Sequence, residues 1–259
     1  MNFETLIFEK KEDVGIIQFN RPKANNALNE LLFNELDELV DLVSKDDEIK
    51  VIILTGGERV FAAGTDIKHL VHLNAIEAES FITLINSVSD KIADIDKPTI
   101  AAIAGYCLGG GFELALACDI LIASTGAKFG QPEVNIGIVP GGGGTQRLVR
   151  LVGPAWGKRM IMTGEFIDVE QALNLGLITE VVETEQLISR GLEIADLLKK
   201  KAPNALRLAK RCVNFGQNVD LASGLEFEQK IWALLFSTED KKEGMEAFIE
   251  KRSPNFIGK

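Results

Sequence analysis

The chain has 259 residues, enough for one large domain, or one domain with an appendage, that buries roughly 70–75% of the surface its unfolded form exposes. Its formal net charge is −10, which argues against a nucleic-acid-coating protein because such binding depends on clustered Lys and Arg that neutralise phosphates. Its three cysteines show no CxxC spacing, so neither a disulfide framework nor a zinc site is indicated.

The N-terminal part predicts a soluble α/β protein. The first residues show no positive region followed by a long apolar run, and no window is long enough to span a membrane, so we expect a cytoplasmic location. Alternating segments at residues 5–9 and 14–19 predict an opening hairpin, and the proline-broken polar residues 20–26 predict a loop. From Asn29 apolar residues recur at helical spacing, and residues 51–54 predict a buried strand.

The stretch FAAGTDIK, residues 61–68, follows that strand. Its small residues around a glycine permit close approach of the backbone to a ligand, although a simple connector is the commoner role for such a loop. The only histidines, His69 and His72, lie just beyond it, and without another ligand cluster we expect an exposed structural role for them rather than a metal site. Residues 76–93 then predict a helix.

Residues 98–119, PTIAAIAGYCLGGGFELALACD, organise the chain. Residues 99–104 predict a buried strand that passes through a turn at Gly109, Gly110 and Gly111 into a helix. The first N–H groups of a helix have no intrahelical partner and favour a developing negative charge. Glu113 follows among apolar neighbours and would face the same point. The alternative is a tight glycine turn, with Glu113 merely complementing the helix dipole.

The second half of the chain predicts a shift from α/β to all-helical structure. Residues 120–123 predict a strand, and residues 128–133 a turn that ends at a second carboxylate, Glu133. Residues 141–144 are four glycines, which suit a phosphate cradle or simply positive φ angles. Short helices are expected at 145–151 and 156–162, another after Asp168 as N-cap, and a last strand at 179–182. Residues 185–250 all predict helix, with an apolar surface suited to a subunit contact at Leu225, Phe227, Ile231, Trp232, Leu235 and Phe236.

Several separate motifs, in this order, resemble the crotonase superfamily, and most closely the enoyl-CoA hydratases. They are NRP with NAL in residues 20–28, FAAGTDIK at 61–68, AGYCLGGGFELALACD at 104–119, FGQPEVNIGIVPGGGGTQRL at 129–148 and TEDKKEGMEAFIEKR at 238–252. The resemblance implies a spiral of ββα turns, residues 1–195, and a C-terminal helical region, residues 196–259, that drives trimerisation. Two trimers often stack as a hexamer in such proteins.

The resemblance also implies the site residues. The backbone N–H groups of Thr65 and Gly110 match the oxyanion hole, and Glu113 and Glu133 match the two carboxylates that hydratases use. The residues that match the coenzyme A site are Asp66, Ile67 and Lys68, with Ala24 and Ala63 as weaker backbone candidates. The implied substrate is an acyl-CoA thioester, which brings the coenzyme A itself, with no separate cofactor and no metal.

The implied reaction is reversible addition of water to a trans-2-enoyl-CoA. The two N–H donors would stabilise the charge on the thioester oxygen, and we assign Glu113 as the base that activates water and Glu133 as the acid that protonates the α-carbon. The helix dipole favours the ionised form of Glu113 and so supports this assignment, while shared or reversed roles stay open.

One departure from the family pattern leaves other functions open. A typical hydratase carries alanine where this chain has Thr65. Its backbone donor is unaffected, but the extra hydroxyl and methyl suit a hydroxylated, branched or carnitine-like acyl group. An isomerase, a decarboxylase and a carnitinyl-CoA-like dehydratase are therefore alternatives within the superfamily. A non-catalytic member that binds acyl-CoA or RNA is an alternative of another class, and the acidic charge weighs against RNA.

Overall fold

The structure, a computed structural model, describes residues 3–259. In chain order the strands are β1 (Leu6–Lys11), β2 (Val14–Phe19), β3 (Val51–Thr55), β4 (Thr99–Ile103), β5 (Tyr106–Leu108), β6 (Ile120–Ser124), β7 (Lys128–Gly130), β8 (Ile167–Asp168) and β9 (Glu180–Val182). The helices are α1 (Glu30–Lys45), α2 (Ile67–Leu70), α3 (Ala75–Asp94), α4 (Gly109–Ala115), α5 (Gly144–Thr163), α6 (Val169–Asn174), α7 (Leu187–Lys199), α8 (Pro203–Gly216), α9 (Leu221–Leu235) and α10 (Glu239–Glu250).

Two sheets form the α/β body. The larger has the order β1-β2-β3-β4-β6-β9, with an antiparallel β1–β2 hairpin and parallel pairing from β2 onwards. The smaller has the order β5-β7-β8. Parallel strands need crossover connections, which α1, α3 and α4 supply. The predicted hairpin, central strands and long helices are confirmed, each within a few residues of the expected ends.

The central strands of the larger sheet are buried on both faces. In β3, Ile52 and Leu54 pack with the apolar faces of α1 and α3, whereas Val51 and Ile53 pack with α7. Successive strand residues point to opposite faces, so a continuous apolar run is what a doubly covered strand requires. The sheet therefore acts as a rigid platform, and the loops that follow its strands can hold reacting groups.

The predicted glycine turn is placed differently in the structure. The turn after β4 lies at Gly105, where φ is +58°, and the chain then forms β5 before α4 begins at Gly109. Gly110 and Gly111 are thus part of the first helical turn. A Cβ on Gly111 would lie 2.4 Å from the Cβ of Ala62, so glycine here permits α4 to pack closely against residue 62. The predicted turn at 128–133 likewise holds a strand, β7, followed by a 3₁₀ turn from Glu133 to Ile136.

The predicted short helices are confirmed as two halves of α5 that meet at a break at Gly153. Asp168 caps α6 as expected, since its side chain accepts from Gln171 N at 2.9 Å.

Helix α8 lies against the body through ion pairs. Lys210 of α8 contacts Asp119 at 2.9 Å, and Arg211 contacts Asp96 at 2.7 Å. The apolar side chains predicted to form a subunit contact include Leu225 and Trp232, which are 54% and 64% exposed in the single chain. Among the described residues no helix is long and apolar enough to cross a membrane.

Candidate active site

Two backbone donors from different segments lie side by side. Leu28 and Thr65 form a parallel bridge in which Leu28 N donates to Gly64 O and Asp66 N donates to Leu28 O, both at 2.8 Å, so the Thr65 N–H points away from that bridge. Gly110 is the second residue of α4, where helix geometry provides no acceptor. Within residues 3–259 neither N–H has a hydrogen-bond acceptor. A Cβ on Gly110 would stand 3.7 Å from Thr65 N, which places the two donors together.

A buried residue that the sequence analysis did not single out lies two positions before Leu28 of this bridge. Asn26 is buried and has a positive φ of 54°. Its Nδ2 donates to Gly56 O and Val60 O, at 3.0 and 2.8 Å, and its Oδ1 accepts from Arg21 N at 2.9 Å. Asn26 belongs to the NAL motif, and its buried, hydrogen-bonded side chain links the loop at residues 20–26 to the one at residues 56–60.

Glu113 lies on α4 and is almost fully buried, with 3% of its surface exposed. Its Oε1 accepts from the N–H of Gly144 at 2.7 Å. Burial raises the pKa of Glu113 above its usual range, while the N–H groups of Gly144 and Gly142 and the charge of Arg147 oppose that rise. The carboxylate is therefore desolvated, yet its ionised form has defined partners.

Glu133 begins the 3₁₀ turn after β7 and is half-buried. Burial raises its pKa to about 7, a backbone hydrogen bond lowers it, and the nearby charge of Glu113 raises it. A Cβ on Gly109 would lie 3.0 Å from Glu133 Oε1 and 3.6 Å from the Cα of Gly64. Glu133 therefore lies beside the segments that supply the two backbone donors.

Gln131 is a further polar residue of the site that sequence analysis missed. It is fully buried, and in the amide orientation that its surroundings favour, its Nε2 donates to both carboxylate oxygens of Glu133 at 3.0 and 3.1 Å. A Cβ on Gly144 would lie 2.5 Å from the Gln131 side-chain amide, at the atom that is its oxygen in this orientation, and 2.9 Å from Glu113 Oε1. Gly144 therefore lies next to both Glu113 and Gln131, the residue that binds Glu133. Glutamine two residues before Glu133 is the only sequence signal for this contact.

The glycine loop at 141–144 packs around Glu113. A Cβ on Gly142 would lie 2.7 Å from Glu113 Oε2, so the chain can pass the carboxylate only without a side chain there. Gly143 has a φ of +105° and precedes the first residue of α5. The sequence suggested that this loop either cradles a phosphate or simply needs positive φ angles. The φ of Gly143 agrees with the second role, and the N–H groups of Gly142 and Gly144 bind the carboxylate of Glu113.

The residues predicted to bind coenzyme A lie around the Thr65 segment. Asp66 caps α2 through Lys68 N at 3.1 Å and pairs with Arg21 at 3.0 Å, so its carboxylate has structural partners. Ile67 and Lys68 are exposed, and Ala63 N donates to Asn25 O at 3.1 Å. Ala24 is half-buried at the end of a 3₁₀ turn.

The histidines and cysteines lie outside this arrangement. His69 is half-buried rather than exposed, with its ring 4.7 Å from that of Phe81, because α3 covers that side of α2; His72 is exposed. Cys107 and Cys118 are buried thiols whose pKa values burial raises. Within residues 3–259 no cluster of three or more His, Cys, Asp or Glu side chains is arranged to hold a metal ion.

The arrangement combines two free N–H donors with two carboxylates that have unequal surroundings. Such donors stabilise an oxyanion, and two carboxyl groups with different proton affinities can respectively accept and donate a proton. This combination suits addition or removal of a small molecule next to a carbonyl group.

Comparisons with known proteins agree with this geometry. Residues 9–259 match the family model described as "Enoyl-CoA hydratase/isomerase". The chain is 45% identical over 253 residues to a short-chain-enoyl-CoA hydratase of Clostridium acetobutylicum, covering 97% of each chain. It is 44% identical over 260 residues to a crotonyl-CoA hydratase of Syntrophomonas wolfei, covering 100% of each. The crystal structure of an enoyl-CoA hydratase from Bacillus anthracis matches with a TM-score of 0.94 at 36% identity, covering 99% of this chain and 100% of that one.

Proposed function

The chain belongs to the enoyl-CoA hydratase/isomerase family, and we propose that it is an enoyl-CoA hydratase that adds water reversibly to trans-2-enoyl-CoA, giving 3-hydroxyacyl-CoA. The observation that carries this function is the pair of carboxylates, Glu113 and Glu133, beside two unpaired backbone N–H groups. Relatives named for short-chain and crotonyl substrates support a short acyl chain.

The proposed oxyanion hole consists of the N–H groups of Thr65 and Gly110. Attack on the β-carbon moves electron density onto the thioester oxygen, where both N–H groups donate to it. Preorganised donors of this kind contribute roughly 10²–10³-fold each to kcat. The Leu28–Thr65 bridge and the start of α4 fix the donors before substrate arrives, so no reorganisation is needed during the reaction.

The two carboxylates divide the proton transfers. Glu113 is ionised and takes a proton from water as the water oxygen bonds to the β-carbon. Glu133 is protonated and gives its proton to the α-carbon, and both additions occur on the same face. Afterwards Glu113 carries a proton and Glu133 a charge, so the net return of one proton from Glu113 to Glu133 restores the site. The pKa of about 7 at Glu133 supports its role as the acid.

The rest of the proposal concerns substrate binding and assembly. Ala24, Ala63, Asp66, Ile67 and Lys68 form the proposed coenzyme A site next to Thr65, and coenzyme A enters with the substrate, with no separate cofactor. The C-terminal region, residues 196–259, is proposed to form a trimer, or a hexamer of two trimers, and its exposed Leu225 and Trp232 support this. A cytoplasmic location stays a prediction from the sequence.

A second candidate function rests on Thr65. A Cβ on Gly110 would lie 2.6 Å from Thr65 Oγ1, so the extra hydroxyl lies against the proposed oxyanion hole. This favours a carnitinyl-like dehydratase or an enoyl-CoA isomerase as the alternative. Product analysis with 3-enoyl-CoA and carnitine-like thioesters distinguishes these reactions from simple hydration.

Hydration of crotonyl-CoA, followed by loss of the enoyl absorbance, tests the main proposal. The protein is expected to be active, and Glu113→Gln and Glu133→Gln are each expected to lose at least 10²-fold in kcat while still binding the thioester. Glu170→Gln, at an exposed position on α6, is the matched control and should keep full activity. A folded protein that binds enoyl-CoA esters of several lengths and hydrates none would contradict the proposal.

A further inference from the structure

Arg147 is a charged residue that the proposed mechanism does not use, although it contacts the glycine loop that binds Glu113. It belongs to the first turn of α5, and its side chain is mostly buried, with 23% exposed. Its Nη1 donates to Gly142 O at 3.1 Å, and a Cβ on Gly143 would lie only 2.1 Å from Nη1. The guanidinium therefore packs directly against the glycine loop.

Helix α3 holds both Arg147 and the loop in place. Asp90 of α3 accepts from Arg147 Nη2 at 2.6 Å, and Asn86, one helical turn earlier, donates to Gly141 O at 3.2 Å. Residues four apart lie on one face of a helix, so a single face of α3 contacts the loop directly through Asn86 and indirectly, through Asp90, by way of Arg147. The loop between them supplies the Gly144 N–H that binds Glu113 at 2.7 Å.

We propose that Arg147, held by Asp90, is a positioning residue for Glu113: it fixes the glycine loop whose N–H groups bind the carboxylate, and its charge favours the ionised form. This inference rests on the proposed function, in which Glu113 is the base. The titratable and charged groups that face Glu113 are Arg147 from α5, whose charge lowers the pKa of Glu113, and Glu133 from the segment after β7, whose own pKa the charge of Glu113 raises.

The sign of the expected pH effect follows from this charge arrangement. Glu113 must be ionised to activate water, so kcat/KM falls as pH decreases through its pKa and forms the acid limb of the profile. The charge of Arg147 lowers that pKa, although burial is the larger effect and raises it. Removing the charge of Arg147 therefore moves the acid limb to higher pH.

Three variants separate the charge of Arg147 from its shape. Arg147→Gln removes the charge and part of the bracing, and should move the acid limb to higher pH and lower kcat about tenfold, equivalent to about 1.4 kcal/mol. Arg147→Lys keeps the charge without the forked geometry, so its acid limb should stay near that of the parent while kcat falls. Asp90→Asn releases the guanidinium from its ionic partner and should lower kcat less than Arg147→Gln does. KM for crotonyl-CoA should stay within about twofold in all three.

Arg150→Gln is the matched control. Arg150 lies on the same helix with the same charge, but within residues 3–259 its side chain bonds only to Gln146, at 3.1 and 3.3 Å. Its pH profile should equal that of the parent. If Arg147→Gln leaves the acid limb or kcat unchanged, or if Arg150→Gln moves the limb as far, the proposal is wrong. If Arg147→Gln fails to fold, the milder variants Arg147→Lys and Asp90→Asn still test the proposal. Full kcat in both of them would overturn it.

An infrared titration gives a readout without turnover. The protonated carboxyl band of Glu113, assigned by its loss in Glu113→Gln, should titrate at higher pH in Arg147→Gln than in the parent. A band that titrates at the same pH overturns the inference even if the enzyme is active. A parent protein that hydrates no enoyl-CoA overturns the proposed function instead, so the two failures are distinguishable.

Discussion

Replacing Gly110 with alanine should disable the proposed oxyanion hole for a specific steric reason. The added Cβ would lie 2.6 Å from Thr65 Oγ1, a separation at which one of the two groups must move. Thr65 is β-branched and half-buried, so its side chain has little freedom to rotate away. The strain therefore moves the backbone of one donor residue relative to the other. Loss of one oxyanion donor costs roughly 10²–10³-fold in kcat, so we expect Gly110→Ala to lose about 10²-fold.

The same geometry predicts that a second substitution restores activity. In Thr65→Ala the hydroxyl is absent, and the nearest remaining atoms to a Cβ at position 110 are Thr65 N at 3.7 Å and Leu28 Cδ1 at 3.8 Å. Both are ordinary van der Waals distances. The double variant should therefore recover most of the lost rate, and the coupling between the two positions should approach about 2.7 kcal/mol, the equivalent of 10²-fold.

A double-mutant cycle on the hydration of crotonyl-CoA measures this coupling. Thr65→Ala alone should stay within about tenfold of the parent because the donor belongs to the backbone. The four proteins should be compared at the same pH, with kcat and KM separated. Equal activity of Gly110→Ala and the double variant would refute the steric argument, since the loss would then not arise from Thr65. Full activity of Gly110→Ala would show that the threonine side chain rotates away.

Three further predictions follow from contacts in and near the site. Glu133 binds a proton more tightly in the folded chain, where its pKa is about 7, than in the unfolded chain, so its contribution to stability falls as pH rises through that pKa. Glu133→Gln should therefore raise Tm relative to the parent by more at pH 8 than at pH 5. An equal difference in Tm at the two pH values would contradict this. Gly144→Ala should lower kcat at least tenfold, because its Cβ meets the Gln131 side-chain amide at 2.5 Å and Glu113 Oε1 at 2.9 Å. Gly216→Ala, with open space around it, should leave kcat unchanged, and equal effects of the two variants would disprove the contact argument. Asp240 is buried and accepts from the N–H groups of residues 257 and 258 at 2.7 and 2.8 Å. Asp240→Ala should therefore lower the free energy of unfolding by about 1–3 kcal/mol in a denaturant titration. An unchanged midpoint would exclude a role of Asp240 in holding the C-terminal tail.

Local sequence patterns predicted the long elements well because their apolar spacing reports burial directly. In α1 the residues at helical spacing from Leu32 to Val43 are the buried ones, and Asn29 caps the helix through Leu32 N at 3.1 Å. The strands β5, β7 and β8 were not predicted, since two or three residues contain no usable period. These strands form because their neighbours in the smaller sheet supply the hydrogen bonds. Their formation therefore depends on the overall fold and not on a pattern within each segment.

The site shows the same division between local and non-local information. Glu113 stands out in the sequence as an acid among apolar residues, and its burial agrees with that pattern. Gln131 does not stand out, because its importance depends on a contact with Glu133 that only the turn after β7 creates. The glycines at 109–111 predicted a turn into a helix, and those at 141–144 a phosphate cradle or positive φ angles. Neither pattern predicted that polar groups of the site would fill the space beside Gly110 and Gly144.

The unequal surroundings of the two glutamates account for how one site can hold both an acid and a base. Glu113 is the more deeply buried, and by desolvation alone it would be the harder of the two to ionise. The N–H groups of Gly142 and Gly144 and the charge of Arg147 oppose that effect at Glu113. At Glu133 a backbone hydrogen bond also opposes desolvation, but the charge of Glu113 adds to it. Ionising Glu113 therefore helps to keep Glu133 protonated, so the arrangement favours one proton shared unequally between them. This supports the proposed assignment of the base to Glu113 on α4 and of the acid to Glu133 after β7.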